Sequence, residues 1–282
     1  MADKPIGLDL PMISLVCQTL PEGWEKAVMA TWKDGIQMPT QYDRPGDPPS
    51  RDSTLCLSVA RPFEEPRLHR AMPGGIYDLE VYVQEVVDGI HDHWIDPASG
   101  KWGYTYHERL TAYSVGGGQT VDQLRNVVDT IAAAPMTRRA QAIVWNPRTD
   151  PQNEHCPCLQ RLWFRLVENR LVLNVHIRSN DAFKAAFMNM YAFTEIQARV
   201  ALKLSERMDR EIVPGQYNHI ADSFHIYGSY FEDFKGFLES VKVRHWDQRT
   251  YTTESMQVHF DEARVKIADK LAKGQRASEE KK

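Results

Sequence analysis

The chain has 282 residues, of which 42% are apolar and 26% charged, a composition typical of a soluble globular protein with a substantial core. Its net charge of −4 excludes a general basic field for nucleic acid or an anionic membrane, and no apolar run approaches the roughly 18 residues of a membrane span. Four cysteines, and an N-terminus too polar for a signal peptide, predict a cytoplasmic protein with reduced thiols.

The N-terminal part of the chain predicts a helix, a loop and a strand. Residues 22–34 have the apolar spacing of a helix, and residues 54–59 alternate as a strand. Between them, residues 42–52 hold three prolines and one glycine and therefore predict a loop. This loop contains Arg44 and Arg51, so it is either a solvated linker or a mobile loop that grips a phosphate.

A second helix is predicted at residues 77–89, with valines on its apolar side and Gly89 as a stop signal. Glu80 and Glu85 lie on this helix, although most glutamates on helices are merely solvated. The aromatic-rich residues 91–106 predict a loop and a short strand that form the wall of a cleft.

The glycine-rich residues 114–118 lack the lysine and the spacing of a phosphate-binding loop. They predict a flexible lead into a helix that is capped by Thr120 and ends before Pro135. Arg138 and Arg139 follow, at the start of a predicted strand. Because adjacent side chains of a strand point to opposite faces, both arginines could serve one ligand only with an irregular backbone or at a subunit boundary.

Residues 162–167 and 171–178 alternate around Glu168 and Asn169, a pattern that predicts an antiparallel hairpin. Leu171, Leu173, Val175 and Ile177 of the second strand share one face. Arg178 shares the other, polar face and lies at the strand end, where functional residues often collect.

The C-terminal part of the chain is predicted to be helical. Residues 181–210 are apolar on more than one side, which indicates a buried helix. Asn189 within it needs hydrogen-bond partners, either as a satisfied core amide or as a group that meets a polar ligand edge. Residues 256–271 predict an amphipathic helix and residues 273–282 a polar, disordered tail. With no internal repeat, residues 1–272 are predicted to form one α+β domain.

Two interpretations compete for the cysteines. His155, Cys156 and Cys158 could bind zinc, but a structural zinc site needs four ligands and Cys17 and Cys56 are distant and unpatterned. We therefore predict no metal. The alternative is a thiolate nucleophile, which requires a positive partner to lower the thiol pKa. An arginine can supply this charge and also grip a phosphate, which points to a phosphorylated substrate with an electrophilic carbon.

Several motifs, in their order along the chain, resemble the thymidylate synthase family, which includes the pyrimidine-nucleotide hydroxymethylases. They are Arg138-Arg139, Trp145-Asn146-Pro147, Pro157-Cys158, Arg178-Ser179-Asn180-Asp181, Asn189 and His225-Ile226-Tyr227. Arg138 to Cys158 and Cys158 to Arg178 are each twenty residues, as the family's pattern requires. The resemblance covers residues 104–227 well and the N-terminal third weakly. The sequence around Asn189 is most similar to the divergent, archaeal-type branch.

The resemblance implies a single domain whose large twisted mixed β-sheet is flanked by helices and packs sheet to sheet in a homodimer. It implies an enzyme that moves a one-carbon unit from 5,10-methylenetetrahydrofolate, or a related pterin, to C5 of a pyrimidine nucleoside monophosphate. Reductive methylation of dUMP to dTMP is the first expectation. The alternative is 5-hydroxymethylation of dUMP, dCMP or CMP, in which water adds in place of hydride.

The same resemblance implies roles for individual residues. Cys158 would add to C6 of the pyrimidine, Tyr106 would assist removal of the C5 proton, and Glu80 is the candidate for the family's helix glutamate. The 5′-phosphate would be held by Arg178, Ser179 and either Arg44 or Arg51, and across the dimer by Arg138 and Arg139. The base would contact Asn189, and the sugar hydroxyl would contact His225 and Tyr227. The pterin would contact Asp181.

The chain also departs from the family's pattern. Leu159 stands where many members have histidine, Ile177 where many have glutamine, and His91 or a neighbour replaces a tryptophan of the cofactor site. The sequence lacks the short apolar C-terminal tail that closes over the ligands, and a more open site favours water over hydride. Asn189 favours uracil instead, because an amide both donates and accepts hydrogen bonds.

Two interpretations from other classes remain. A noncatalytic nucleotide-binding protein on the same fold would not need the thiol of Cys158, and loss of covalent trapping by 5-fluoro-dUMP would favour it. A zinc-stabilised interaction module would require stoichiometric metal in the purified protein.

Overall fold

A computed structural model describes residues 9–99 and 102–279, without the side chains of residue 97 and residues 274–279. The helices are α1 (Leu20–Asp34), α2 (Ile76–Asp88), α3 (Tyr106–Thr111), α4 (Gln123–Ala133), α5 (Ala186–Met208), α6 (Phe231–Val243), α7 (Trp246–Arg249) and α8 (Gln257–Glu279). The strands are β1 (Met12–Cys17), β2 (Ile36–Met38), β3 (Ser50–Val59), β4 (Leu68–His69), β5 (Tyr113–Gly116), β6 (Gln119–Val121), β7 (Gln141–Ile143), β8 (Leu159–Val167), β9 (Arg170–Asp181), β10 (Val213–Ile226) and β11 (Thr250–Tyr251). No helix in these ranges is long and apolar enough to cross a membrane.

One mixed sheet forms the centre of the molecule. Its strand order is β1-β3-β10-β9-β8-β7, and β2 pairs with the first three residues of β3. β1 runs parallel to β3 and β10 runs parallel to β9, whereas the other pairs are antiparallel. The predicted α+β class with a large mixed sheet is therefore confirmed, as is the β8–β9 hairpin around Glu168 and Asn169.

The core lies between one face of this sheet and helices α1 and α5. Leu171, Leu173, Val175 and Ile177 of β9 are fully buried on this face, as the alternation predicts. Alternating apolar residues of β3 and β8 extend the same layer, because successive strand residues point to opposite faces. Most positions of α5 are buried as well, which confirms the predicted buried helix.

The opposite face of the sheet is left partly open to solvent. Met12 and Val16 of β1 are 71% and 75% exposed, and Cys56, His176 and Ile220 on the inner strands are half-buried. A wide sheet face with apolar residues that is not covered within its own chain is typical of an interaction surface.

Several element boundaries differ from the predictions. β3 begins at Ser50, so Arg51 belongs to a strand rather than to the proline-rich loop. Residues 114–121 form the β5–β6 hairpin, and α4 is therefore capped by Asp122 rather than Thr120. Residues 91–99 and 102–106 contain two short 3-10 helices, one isolated β-bridge between Ile95 and Trp102 and the start of α3, but no strand.

The last helix extends further than the sequence predicts. α8 continues to Glu279, so its backbone is helical in much of the stretch that the composition predicts to be disordered. Residues 280–282 of the predicted tail, and residues 1–8, lie outside the described part of the chain.

Candidate active site

Cys158 lies half-buried at the end of the loop that leads into β8. Arg178 on the neighbouring strand holds this loop, because its Nε donates to the carbonyl of Pro157 at 2.9 Å and its Nη2 to the carbonyl of Cys156 at 2.8 Å. Its backbone N–H also donates to the carbonyl of Cys158 at 2.9 Å. The antiparallel pairing of β8 and β9 thus brings the predicted nucleophile and the predicted arginine together.

The charge of Arg178 acts on the thiol in the expected direction but does not dominate. Burial raises the pKa of Cys158 above its usual value, and the nearby Arg178 guanidinium lowers it only in part. In the ligand-free protein Cys158 is therefore mainly a thiol at neutral pH. A thiolate there would need further positive charge or a bound ligand.

Three tyrosines surround the approach to Cys158. The charge of Cys158 acts on the hydroxyls of Tyr82, Tyr104 and Tyr106. Burial raises the pKa of each tyrosine well above the usual value, so all three phenols stay protonated. The hydroxyl of Tyr106 accepts a hydrogen bond at 3.2 Å from the backbone N–H of Leu159, the residue after the cysteine. A cavity of about 290 Å³ opens beside these side chains, lined also by Glu85, Trp102 and His155.

Asn189 on α5 is 7% exposed and has a partner that the sequence did not predict. The hydroxyl of Tyr82 on α2 donates to its side-chain oxygen. With that oxygen occupied, the amide N–H₂ of Asn189 is the group left to meet a ligand. Sequence reasoning missed Tyr82 because only the glutamates of α2 were weighed as polar groups.

The structure does not place Glu80 with Cys158. Glu80 is buried, and it accepts hydrogen bonds from Nε of Arg264 at 3.0 Å and from Gln84 at 2.9 Å. It lines a groove between α2, α5 and α8. Glu85 lines the cavity of the three tyrosines instead, since five residues along a helix turn a side chain by about 140°.

The predicted phosphate-binding arginines lie in different settings. Arg51 packs its guanidinium 4.9 Å from the ring of Trp32 and donates to the carbonyl of Gly35, which commits it to α1. Arg44 is exposed in the loop before β3, and its charge acts on Tyr230. This loop packs against the end of β10, where a Cβ on Gly228 would collide with the carbonyl oxygen of Pro48. Arg44 is thus exposed on the loop, whereas Arg51 is held by α1 and keeps a buried Nε that has no hydrogen-bond partner within the described residues.

Arg138 and Arg139 are exposed, and within the described residues their side chains form no hydrogen bond or ion pair. Ser179, the other predicted phosphate contact, is half-buried on β9 opposite Ser223 of β10. The charged groups expected to hold a phosphate are thus spread over separate elements of this chain.

His225 and Asp181 lie in one row across the sheet. The backbone of His225 on β10 pairs with Asp181 on β9 and with Asp52 on β3, so a carboxylate stands on each side of the imidazole. Ser223 links two of them, since its Oγ lies 2.8 Å from Oδ2 of Asp52 and 3.0 Å from Nδ1 of His225. Sequence reasoning missed Asp52 and Ser223. The ring of Tyr227 lies 4.6 Å from that of His225.

Burial dominates the titration of this row. It raises the pKa of Asp52 and Asp181, lowers the pKa of His225 despite the two carboxylates, and raises the pKa of Tyr227 to about 12. The imidazole is therefore neutral and the phenol protonated near pH 7.

Asp181 and a group of aromatic side chains are two further, separate features of the chain. Asp181 accepts hydrogen bonds on Oδ1 from the N–H groups of Phe183 at 3.1 Å and Lys184 at 2.8 Å, which leaves its other oxygen for a ligand donor. His91 stacks on Trp94 with ring centroids 3.7 Å apart, and Trp102 lies 5.3 Å from Trp94. The carboxylate oxygen can accept from a ligand donor, and the aromatic faces can pack against a flat ring.

Residues 9–99 and 102–279 contain no group of three or more His, Cys, Asp or Glu side chains placed to hold a metal ion. The four cysteines are all free.

Comparison with known proteins identifies two similarities. A family model described as Thymidylate synthase matches residues 79–268, which is more than half of the chain. A curated relative named "Putative thymidylate synthase", from Methanocaldococcus jannaschii, is 30% identical over 224 residues, covering 77% of this chain and 91% of the relative.

Proposed function

The chain belongs to the thymidylate synthase family, and from this premise we propose that it transfers a one-carbon unit to C5 of a pyrimidine nucleoside 5′-monophosphate. The observation that carries the proposal is the position of Cys158, in a loop held by Arg178 and next to Tyr106 and the cavity of the tyrosines. A side chain of this kind suits covalent activation of a ring carbon rather than simple binding.

In the proposed reaction the sulfur of Cys158 bonds to C6, and the electron pair of the C5–C6 double bond moves towards C5 and O4. Asn189 is suited to stabilise the charge that develops on O4, because Tyr82 occupies its oxygen and leaves its N–H₂ to donate. C5 would then bond to the one-carbon unit of the folate. Loss of the C5 proton would expel the folate and leave an exocyclic methylene on C5, and after hydride or water had added to this methylene, departure of the Cys158 sulfur would restore the C5–C6 double bond.

Tyr106 is proposed to act without ionising. Burial raises its pKa well above the usual value, so the phenol would orient a water molecule towards the C5 proton rather than remove the proton as a phenolate. Asp181, Trp94 and Trp102 are the residues proposed to hold methylenetetrahydrofolate. When bound, this cosubstrate supplies the one-carbon unit and, for a methyl product, the hydride.

The first candidate reaction is methylation of dUMP to dTMP. A second candidate, 5-hydroxymethylation of dUMP, dCMP or CMP, is favoured by Glu85, which lines the cavity of the three tyrosines and whose Oε2 lies 2.7 Å from Nδ1 of His91. A carboxylate in that position is suited to orient water, which would then add to the exocyclic methylene in place of hydride.

We also propose that two copies of the chain pair through the open sheet face. Its half-buried residues, with Met12 and Val16 exposed at the edge, would be covered in such a dimer. Arg138 and Arg139, which are exposed and unpaired within the described chain, would then reach the phosphate site of the partner subunit.

The test is product analysis by mass spectrometry after incubation with methylenetetrahydrofolate and, separately, dUMP, dCMP and CMP. Dihydrofolate absorbance is followed in the same reactions. A methylated product with dihydrofolate supports the first candidate, and a hydroxymethylated product without dihydrofolate supports the second. Turnover of no substrate, with a Cys158→Ala variant behaving identically, would contradict both.

A further inference from the structure

The hydrogen bonds around Ser223 determine which nitrogen of His225 carries its proton. Ser223 donates its single hydroxyl proton to Oδ2 of Asp52 at 2.8 Å, because a carboxyl oxygen that carries no proton can only accept. The Ser223 oxygen can then only accept from Nδ1 of His225 at 3.0 Å. Because a neutral imidazole has one N–H, Nε2 is left as an acceptor.

Within the described residues this Nε2 has no hydrogen-bond partner, although His225 is only 5% exposed. A buried acceptor without a partner is unfavourable, and a ligand donor would relieve it. Tyr227 lies beside the imidazole and keeps its hydroxyl proton, so it can donate where His225 accepts. One acceptor next to one donor is the complement of a hydroxyl group, which both donates and accepts.

We propose that Asp52 and Ser223 are positioning residues that hold His225 in the Nδ1-protonated tautomer, so that its Nε2 accepts a hydrogen bond from a sugar hydroxyl of the nucleotide. The choice of ligand rests on the proposed function. The tautomer does not, because it follows from contacts within the chain.

The first experiment measures the tautomer in the ligand-free, full-length protein. Imidazole ¹⁵N shifts are recorded with ¹⁵N-labelled histidine, and the His225 signals are assigned by their loss in His225→Gln. The wild type is expected to carry the proton on Nδ1. In Ser223→Ala the proton is expected to move to Nε2, because Nδ1 has lost its acceptor. In Asp52→Leu the same move is expected, because the Ser223 hydroxyl would then donate to Nδ1. Ser223→Thr keeps the hydroxyl and should keep the wild-type pattern.

The second experiment measures what the tautomer does for binding. The dissociation constants of dUMP and of its 3′-deoxy-3′-fluoro analogue, which has no 3′ donor, are compared by calorimetry. The wild type should bind the analogue about tenfold more weakly, as expected for one lost hydrogen bond to a buried acceptor. In Ser223→Ala the two ligands should bind within about twofold of one another, whereas a merely structural role would weaken both and leave the ratio unchanged.

The outcomes separate this inference from the proposed function. A proton on Nε2 in the wild type, or an unchanged ratio in Ser223→Ala, would overturn the inference. If the wild type bound neither ligand but carried the proton on Nδ1, the proposed function would be wrong. The sugar hydroxyl would then be wrong as the ligand of His225, while the tautomer would stand. The comparison of the two ligands in the wild type needs no variant, so equal affinities there would overturn the inference even if a variant did not fold.

Discussion

The hydroxyl of Tyr82 donates a hydrogen bond to the side-chain oxygen of Asn189 and so joins α2 to the buried helix α5 beside Cys158. The contact spans 107 residues of the chain and fixes which end of the amide is free. It connects the helix that lines the cavity of the three tyrosines to Asn189, which we expect to bind the base.

Replacing Tyr82 with phenylalanine should impair both stability and base selection. The change leaves the buried oxygen of Asn189 without a donor, which costs about 1–3 kcal/mol, and it frees the amide to rotate. We expect a lower midpoint of urea unfolding and a smaller difference in kcat/KM between dUMP and dCMP. Tyr77→Phe is the matched control, because this hydroxyl on the same helix meets Lys270 instead. Equal effects of the two changes would contradict the assignment.

Removing the charge of Arg178 should slow modification of Cys158. Since the guanidinium lowers the thiol pKa against the effect of burial, Arg178→Gln should raise that pKa and shift the alkylation profile to higher pH. At a fixed pH below the pKa, a rise of one unit corresponds to about a tenfold slower reaction. The rate of iodoacetamide labelling is measured by mass spectrometry of the peptide, in a Cys156→Ser background that removes the neighbouring thiol. A rate unaffected by the substitution would show that the arginine acts on the loop alone.

The two glutamates of α2 provide a matched pair. Glu85→Gln should reduce kcat by about 10²-fold or more if its carboxylate orients water at the reacting carbon. Glu80→Gln should leave kcat near wild type and lower stability by about 1 kcal/mol or less, because its partner Arg264 is half exposed and the pair is screened. Steady-state kinetics and urea unfolding of both variants are compared. A loss of activity confined to Glu80→Gln would reverse our assignment.

His219 should make stability depend on pH. It is fully buried between Tyr217 and Asn180, and burial lowers its pKa from 6.5 to about 3. Below pH 6.5 the unfolded chain therefore binds a proton that the folded chain excludes, and the free energy of unfolding falls as pH falls towards 3. The contribution of this group approaches about 1.4 kcal/mol per pH unit. Urea unfolding from pH 7 to 4 should show a shallower slope for His219→Gln than for the wild type, and parallel slopes would contradict the prediction.

The proposed dimer can be tested by mixing inactive subunits. Arg139→Ala and Cys158→Ala should each be inactive alone, and activity should return after the two are mixed through mild denaturation, because a mixed pair has one complete site. Ile220→Asp, which places a charge on the open sheet face, should give a monomer by sedimentation. Mixing with Arg178→Ala in place of Arg139→Ala is the control, since Arg178 contacts the Cys158 loop of its own chain and the mixed pair would lack a complete site. An active monomer would contradict the proposal.

The sequence by itself determined the elements whose signals are local. The β8–β9 hairpin follows from alternation on both sides of Glu168 and Asn169, and the burial of α5 follows from its apolar positions. The order and spacing of the short motifs identified the family, which the comparisons confirm. The hairpin and helix signals are local, and the family signal needs only the order of the motifs along the chain, so none of them depends on how the elements pack.

Only the tertiary structure decided which side chains meet at the site. Tyr82 and Glu85 of α2 line one cavity with Tyr104 and Tyr106, whereas Glu80 lines another with Arg264, and helical spacing alone does not set the rotation of α2 relative to a distant strand. The contact of Ser223 with Asp52 spans 171 residues, and it depends on the pairing of β10 with β3. Such contacts follow from how the sheet and helices pack, which no short stretch of sequence records.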